Sequence, residues 1–217
     1  YYPIAHEGGG NMDRKKVLTW FQSVLNTESI KIFHNAMYDV CWIRALGLKI
    51  NGKIIDTMIA AAIVDENQMR YDLNSCSRRY VGYGKDESAL YQAAKDWGVD
   101  AKAEMYKLPA MYVGAYAEKD AELTYELWQE LKKEILHQDL NSIFELEIEL
   151  FPCLVDMRFL GVRVDVEEAH KLKEELHTEE KELLQKIKKE TQVDVQIWAA
   201  RSIAQVFEKL RLPFDRT

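Results

Sequence analysis

The sequence predicts an α/β fold over residues 1–137, built on a small mixed sheet, followed by long α-helices over residues 138–217. Two observations support this division. Runs of β-branched residues alternate with helical patterns in the first region, whereas no strand signal of any length follows in the second. A chain of 217 residues is also long enough to bury one core and to begin another. We therefore expect an α/β domain and a separate helical region.

The first region begins with a strand-like run over residues 1–6. After a glycine-rich turn, Asp13 is placed to cap a helix whose apolar residues share one face. A second strand covers residues 30–34 and leads to Asn35, a residue type that favours helix N-caps. We expect the helix after Asn35 to end at Gly47, because glycine readily adopts the left-handed conformation that ends many helices.

The rest of the first region continues the alternation of strands and helices. A short β-like stretch at residues 48–50 precedes a strand over Ile54–Asp56, whose aspartate opens an alanine-rich helix. Asp72 and Asp86 are placed to open two further helices. Beyond Pro109, which is tolerated in a first helical turn, apolar residues recur at the spacing of one long helix.

The second region reads as helical throughout. Its first helix contains Pro152, where we expect a kink, and ends at Gly161. A short connector then enters a charged helix that runs to about Glu190. The dense alternation of Glu and Lys along this helix indicates a solvated face with ion pairs between successive turns.

Composition and charge limit the possible functions. The formal net charge of −7 argues against a broad surface that neutralises many phosphates, but not against a site that grips the last nucleotides of a single strand. The chain has no apolar run long enough to span a bilayer and no signal-peptide pattern, so we expect a cytosolic protein without a membrane partner. Cys41, Cys76 and Cys153 fit neither a disulfide framework nor a zinc site, and we expect all three to pack as reduced thiols.

Two short motifs carry candidate catalytic chemistry. In the first, residues 34–39, Asp39 falls in the opening turn of a helix, where the positive end of the dipole favours an ionised carboxylate. In the second, Tyr116 and Asp120 are four residues apart in the long helix, so a phenol and a carboxylate project from one face. Carboxylate oxygens are the ligands that hard divalent cations prefer. The two motifs therefore indicate part of a metal-dependent nuclease site.

The order of the motifs resembles the family A DNA polymerases, of the bacterial polymerase I and phage type, across the junction between the 3′–5′ exonuclease domain and the polymerase thumb. Residues 34–39 resemble the second exonuclease motif, and residues 116–120 the third motif in its tyrosine version. Residues 2–6 resemble the strand after the first motif, and residues 56–58 a recurring helix start of the same domain. Residues 157–165 are similar to the segment that enters the thumb helices. The resemblance covers nearly the whole chain and implies a ribonuclease H-like exonuclease fold.

The resemblance also implies the roles of the site residues. Two Mg²⁺ or Mn²⁺ ions would flank the scissile phosphate, with Asp120 on the nucleophile-side ion and Asp39 holding the second ion largely through water. Tyr116 would orient the attacking water, and Asn35 and Tyr38 would contact the terminal nucleotides. The DNA partners would be the 3′ end of single-stranded DNA and primer-template DNA, and the enzyme would act as a monomer in the cytoplasmic replication machinery of a phage or bacterium.

One motif of the family would lie before Tyr1, namely the Asp-x-Glu of the opening strand. Residues 120–122 and 165–167 match that string, but they belong to the third-motif helix and to the thumb entrance and cannot substitute for it. We therefore expect a fragment whose exonuclease domain is incomplete at its N-terminus. Such a fragment would bind the ions weakly or partially and would be essentially inactive as a nuclease.

Each motif also has a structural interpretation. An aspartate such as Asp39 at a helix start is most often a partner of the helix dipole, and Tyr116 on an apolar face is the kind of residue that packs in a core. The order of the motifs, with Asp120 one turn from Tyr116, favours the catalytic interpretation. Asp56 and Asp72 are expected to be helix caps.

Three functions compete on this evidence. The leading one is the proofreading part of a replicative or repair DNA polymerase, which would hydrolyse mispaired 3′ ends. A free-standing exoribonuclease of the ribonuclease D type would share the fold and the tyrosine motif, but the segment after Gly161 resembles a polymerase thumb and not a compact RNA-binding domain. A non-catalytic module that grips single-stranded DNA is the third.

Overall fold

The structure is a computed structural model that describes residues 1–214. It divides into two compact units, Tyr1–Leu160 and the residues from Gly161 onward. Helices dominate the first unit and surround a short sheet. Its elements in chain order are α1 Arg14–Leu25, β1 Lys31–Phe33, α2 Ala36–Ala45, β2 Ile54–Asp56, α3 Thr57–Val64, α4 Leu73–Tyr80, α5 Ser88–Trp97, a 3₁₀ turn Met105–Lys107, α6 Ala110–His137 and α7 Asn141–Leu160.

The sheet is smaller than the sequence predicts. Within residues 1–214 it has two strands, β1 and β2, which run parallel with Lys31 opposite Ile54 and Phe33 opposite Asp56. The predicted strand at residues 1–6 is wrong, because its backbone pairs with turns: Pro3 accepts from the Met12 amide. The predicted mixed sheet is therefore a parallel pair, and the ribonuclease H-like architecture stays a prediction.

The β-like stretch at residues 48–50 is also not a strand. The Gln22 side chain of α1 takes up its backbone groups, donating to the Lys49 carbonyl at 2.9 Å and accepting from the Lys49 amide at 3.0 Å. The Asn51 amide then donates to the carbonyl of Leu25. Hydrogen bonds to a neighbouring helix thus take the place of the hydrogen bonds between strands that this β-like stretch suggested.

The main core is organised around α6. Leu123, Leu127 and Leu131 are fully buried at successive turns of this helix and pack among residues of α3, α4 and α7, with Ile55 of the sheet beneath them. Burial of each leucine contributes about 1.5–3 kcal/mol. The 3.6-residue spacing that predicted the long helix is thus the spacing of its buried residues. The same spacing determines which face of α6 carries Tyr116 and Asp120.

The helix α7 packs within the first unit, although the sequence assigned it to the second region. Its residues Phe151 and Val155 form a small core with Ala36 and Val40 of α2. The helix also continues through Pro152 without ending there. The compact unit therefore extends to residue 160, while the domain boundary at residues 137 and 138 stays a prediction.

The second unit contains α8 Val166–Thr191 and α9 Ala200–Leu210. The charged helix predicted to reach Glu190 is confirmed as α8, with the Asp165 carboxylate capping its first turn through the Glu168 amide. Lysine and glutamate side chains pair along it, as in Lys171 with Glu168. Helix α9 was not predicted from the sequence, and residues 215–217 of the expected thumb region lie outside the described residues.

The cysteines differ in their environments. Cys76 is buried in the main core, and burial raises the pKa of its thiol to about 11, so it packs as predicted. Cys41 is half-buried and packs against the small core of α2 and α7. Cys153 is exposed, and the prediction that it packs is wrong. Among residues 1–214, no helix combines the length and apolar character that crossing a membrane requires.

Candidate active site

A single carboxylate, that of Asp56, joins the starts of two helices. Its Oδ1 accepts from the backbone amides of Asn35 and Met58, both at 2.9 Å, and its Oδ2 accepts from the amide of Ala36 at 2.8 Å. The residue is only 2% exposed. Asp56 caps α3 as the sequence predicts, and it also supplies acceptors to the first amides of α2, which the sequence analysis missed.

Asn35 does not cap α2 with its side chain, contrary to the prediction. Its backbone is left-handed, with φ of 60°, and its side chain makes no capping hydrogen bond. Its left-handed backbone differs from the extended conformation in which an N-cap side chain accepts from amides of the first turn. The carboxylate of Asp56, brought alongside by the parallel pairing of β1 and β2, accepts instead from the amides of Asn35 and Ala36. Asparagine tolerates the left-handed conformation better than most residues, so it still suits this position.

Asp39 lies in the first turn of α2, as predicted, but its carboxyl group is harder to ionise than the dipole argument implied. Partial burial raises its pKa to about 6, and the nearby charge of Asp56 adds to the increase, while a hydrogen bond from the backbone amide of Asp39 opposes it. Desolvation therefore outweighs the helix dipole here. At neutral pH the group is still mainly ionised.

Tyr38 is accessible beside Asp39. Its ring is more than half exposed, and the equally exposed ring of Trp42 lies one turn further along α2, with 6.3 Å between the ring centroids. Exposed aromatic rings are the groups on which unpaired bases stack. Tyr38 was predicted from the sequence and Trp42 was not, although its spacing of four residues from Tyr38 places both rings on one face of the helix.

On α6, Tyr116 and Asp120 lie one turn apart and are joined by a lysine. The ammonium group of Lys85 donates to Asp120 Oδ1 at 2.8 Å and to the Tyr116 hydroxyl at 3.2 Å. Lys85 belongs to the loop between α4 and α5, so the contact spans two elements that are distant in the chain. The Tyr116 ring also packs against a small apolar cluster of α5 and α6, so the residue has both a packing contact and a polar one.

A second lysine and a glutamate complete this polar cluster. Lys102 donates to the Tyr116 hydroxyl at 3.1 Å and to Glu87 at 2.7 Å, and Glu87 also pairs with Lys85 at 3.3 Å. Burial alone would lower the pKa of Lys85, but its hydrogen bonds to Asp120 and Tyr116 outweigh burial and raise that pKa above its usual range. Sequence reasoning missed Lys85, Glu87 and Lys102, because isolated charged residues in loops give no periodic signal.

The candidate site has two halves, which are the carboxylates at the start of α2 and the polar cluster around Tyr116. They are not joined directly in the described part of the chain. The pKa of His34 is affected by both halves. Burial is the largest influence and lowers this pKa. The charge of Asp56 raises it, and the charge of Lys85 lowers it. His34 Nδ1 lies 2.9 Å from the hydroxyl of Thr57, which fixes the ring against the start of α3. His34 is thus close enough to both halves to sense their charges.

Residues 1–214 supply only part of a binding site for two divalent cations. Asp39 and Asp120 are oxygen ligands of the right kind, but no group of three or more His, Cys, Asp or Glu side chains in this part of the chain is arranged to hold a metal ion. The Asp120 carboxylate is moreover held by Lys85. These residues on their own therefore do not form a two-ion site.

Comparison with known proteins gives a consistent result. Residues 6–136 match the family model of the DNA polymerase A exonuclease domain, described as 3′–5′ exonuclease. The chain is 30% identical, over its whole length, to 34% of a DNA-directed DNA polymerase of Pseudomonas phage M6. It is 32% identical, over 72% of its length, to 26% of DNA polymerase DpoZ of Acinetobacter phage SH-Ab 15497. It is 26% identical, over 76% of its length, to 18% of DNA polymerase I of Pseudomonas aeruginosa. The chain thus spans about a third or less of these relatives.

Proposed function

The chain belongs to the 3′–5′ exonuclease family of the family A DNA polymerases, and from this membership we propose that it is the proofreading part of a longer DNA polymerase. In that protein it would remove mispaired nucleotides from the 3′ end of a primer. The family match over residues 6–136 includes all five of the site residues chosen from the sequence. These are Asn35, Tyr38, Asp39, Tyr116 and Asp120.

The observation that carries the proposal is the arrangement on α6. Tyr116 and Asp120 present a phenol and a carboxylate one turn apart, in a polar cluster within the segment that matches the family. The proposed roles are that the Tyr116 hydroxyl orients the attacking water, while Asn35 and the exposed ring of Tyr38 hold the terminal nucleotide. Positioning of this kind supplies a large part of the rate enhancement in hydrolysis.

The family normally uses divalent metals. We propose that two Mg²⁺ or Mn²⁺ ions act in the longer protein, with Asp39 and Asp120 among their ligands; when bound, such ions supply a nucleophile at neutral pH and stabilise the leaving oxygen. Within residues 1–214, Asp39 and Asp120 are the two proposed ligands, and no group of three or more His, Cys, Asp or Glu side chains there is arranged to hold a metal ion. A polypeptide of these residues alone should therefore release mononucleotides from a labelled single strand far more slowly than the longer polymerase.

Two alternatives carry less support. The relatives named above are DNA polymerases, which favours a polymerase over a free-standing ribonuclease D-like exoribonuclease. A non-catalytic module that binds single-stranded DNA would need Tyr38 and its neighbours but not the carboxylates. The longer protein is proposed to extend primers on a template, to act as a monomer, and to work in the cytoplasm of a bacterium or of a phage-infected cell.

The test compares synthesis and excision in the longer polymerase carrying Asp39→Ala or Asp120→Ala. Each change removes a proposed metal ligand, so excision of a mispaired 3′ nucleotide should fall by orders of magnitude while primer extension is kept. Glu130→Ala is the matched control, since Glu130 lies on the same helix as Asp120 and pairs with Lys133. Loss of extension together with excision in Asp39→Ala would reject a distinct proofreading site.

A further inference from the structure

The polar cluster around Tyr116 contains two lysines that share most of their contacts. Both ammonium groups donate to the Tyr116 hydroxyl, and both lie over its ring, at 4.5 Å for Lys85 and 4.3 Å for Lys102. Both also pair with Glu87. Only the Lys85 ammonium contacts Asp120 in the described part of the chain. The pair therefore offers a built-in comparison of a cation that touches the carboxylate with one that does not.

Lys85 has more acceptors around its ammonium group than Lys102 and is less exposed. An ammonium group has three N–H donors, and around that of Lys85 stand three acceptors, on Asp120, Tyr116 and Glu87. Its side chain is 11% exposed, against 43% for Lys102. The contact with Asp120, at 2.8 Å, has the length of a charge-assisted hydrogen bond, and partial burial shields it from solvent and salt.

The charges in the cluster balance, with Lys85 and Lys102 opposite Glu87 and Asp120. A divalent cation bound to the Asp120 carboxylate would place a like charge against the Lys85 ammonium, which donates to Oδ1 of that carboxylate. The two cations therefore weaken each other's binding to Asp120. The metal role expected of Asp120 and the ion pair found there are in direct competition.

We propose that the Lys85 ammonium is a tethered cation that neutralises the Asp120 carboxylate and competes with divalent cations for it. Lys85 would have to leave Asp120 before a cation binds there, and its pairing with Glu87 and Tyr116 gives it acceptors to retain when it does. The cation affinity at Asp120 is then set partly by Lys85. This inference rests on the proposed function, because that proposal makes Asp120 a metal ligand.

The first test measures Mn²⁺ binding to the full chain by electron paramagnetic resonance, without any nuclease assay. Lys85→Met should lower the Mn²⁺ dissociation constant by about tenfold, which corresponds to about 1.4 kcal/mol. Lys102→Met removes the same charge from the same cluster but leaves Asp120 paired, so its dissociation constant should stay within about twofold of the wild type. If Mn²⁺ binds Lys85→Met no more tightly than the wild type, competition is overturned, including when neither shows detectable binding.

The second test follows the lysine ammonium groups of the unaltered chain by nuclear magnetic resonance, so it does not depend on how a variant folds. Without divalent cations, Lys85 should give a slowly exchanging ammonium signal whose chemical shift changes in Asp120→Asn. Adding Mg²⁺ should change that chemical shift in the same direction, because the hydrogen bond to Asp120 is lost while the contacts with Tyr116 and Glu87 remain. A Lys85 signal that keeps its chemical shift in saturating Mg²⁺ would overturn the proposal.

The outcome is separable from that of the proposed function. Retention of 3′ excision by the longer polymerase with Asp120→Ala would reject the nuclease assignment whatever the Mn²⁺ result. Equal Mn²⁺ affinity in the wild type and Lys85→Met would reject competition even where Asp120 proved essential for excision.

Discussion

The buried carboxylate of Asp56 makes the sharpest prediction about what holds the candidate site in place. Asp56→Asn keeps the size of the side chain and removes its charge. One of its two oxygens becomes an amide nitrogen, which can donate but not accept. If the remaining oxygen keeps the amides of Asn35 and Met58, the new amide faces the Ala36 amide, donor against donor, at a position that is 2% exposed.

The size of the loss follows from these three contacts. A hydrogen bond to a charged group contributes about 1.5–3 kcal/mol, and a buried amide left without an acceptor adds a penalty of about 1–3 kcal/mol. Two bonds survive in weaker, uncharged form. We therefore expect Asp56→Asn to lower the free energy of unfolding by about 3–5 kcal/mol, which is a fall of roughly 10 °C in melting temperature for a unit of this size.

The assay is urea denaturation followed by circular dichroism, with amide hydrogen exchange at Ala36 as the local readout. Ala36 should lose its protection in Asp56→Asn, because its acceptor is gone. Asp13→Asn is the matched control: Asp13 is exposed and caps α1 through one bond to the Lys16 amide, and asparagine caps as well as aspartate does. A loss below about 1 kcal/mol in Asp56→Asn would refute the double-capping argument.

Two further predictions concern the site side chains. The pKa of Asp39 is raised from 3.8 to about 6 in the folded chain, so the folded state binds this proton more tightly than the unfolded state does. The bound proton therefore stabilises the fold below pH 3.8, and this stabilisation is lost as pH rises through about 6. Wild-type stability should therefore decline across that interval relative to Asp39→Asn, and carboxyl resonances that place the Asp39 pKa near 4 would contradict the desolvation argument. In the longer polymerase, Tyr116→Phe should slow 3′ excision by less than Asp120→Ala, by the equivalent of about 2–4 kcal/mol at most, because only one hydroxyl is lost; single-turnover excision rates measure this, and an equal loss in both variants would contradict it.

Local sequence signals predicted most of the helices correctly. Asp13 and Asp72 cap α1 and α4 through amides three residues ahead, and Gly47 lies just past the end of α2 in the left-handed conformation. These features depend on contacts between near neighbours in the chain, which residue type and spacing report directly. The pairing of Tyr116 and Asp120 on one face of α6 belongs to the same class, since a spacing of four residues in a helix fixes it.

Predictions failed where the backbone forms its hydrogen bonds with groups other than those that the local sequence pattern implied. Residues 1–6 and 48–50 have the composition of strands, yet their hydrogen bonds go to turns and to the Gln22 side chain. Asn35 has the chemistry of an N-cap, yet its backbone is left-handed, and the Ala36 amide at the start of α2 donates to Asp56, 20 residues further along the chain. Periodicity describes one element at a time and carries no information about which element will lie beside it.

The family resemblance, the long helix and the candidate site residues Asp39, Tyr116 and Asp120 can all be identified without coordinates. The charge state and the contacts of those side chains depend on how the elements pack. Burial raises the pKa of Asp39 against the pull of the helix dipole, and Lys85 reaches Asp120 across 35 residues of chain. Desolvation and ion pairing depend on distance in space, and spatial distance between residues far apart in the chain is set only when the elements pack.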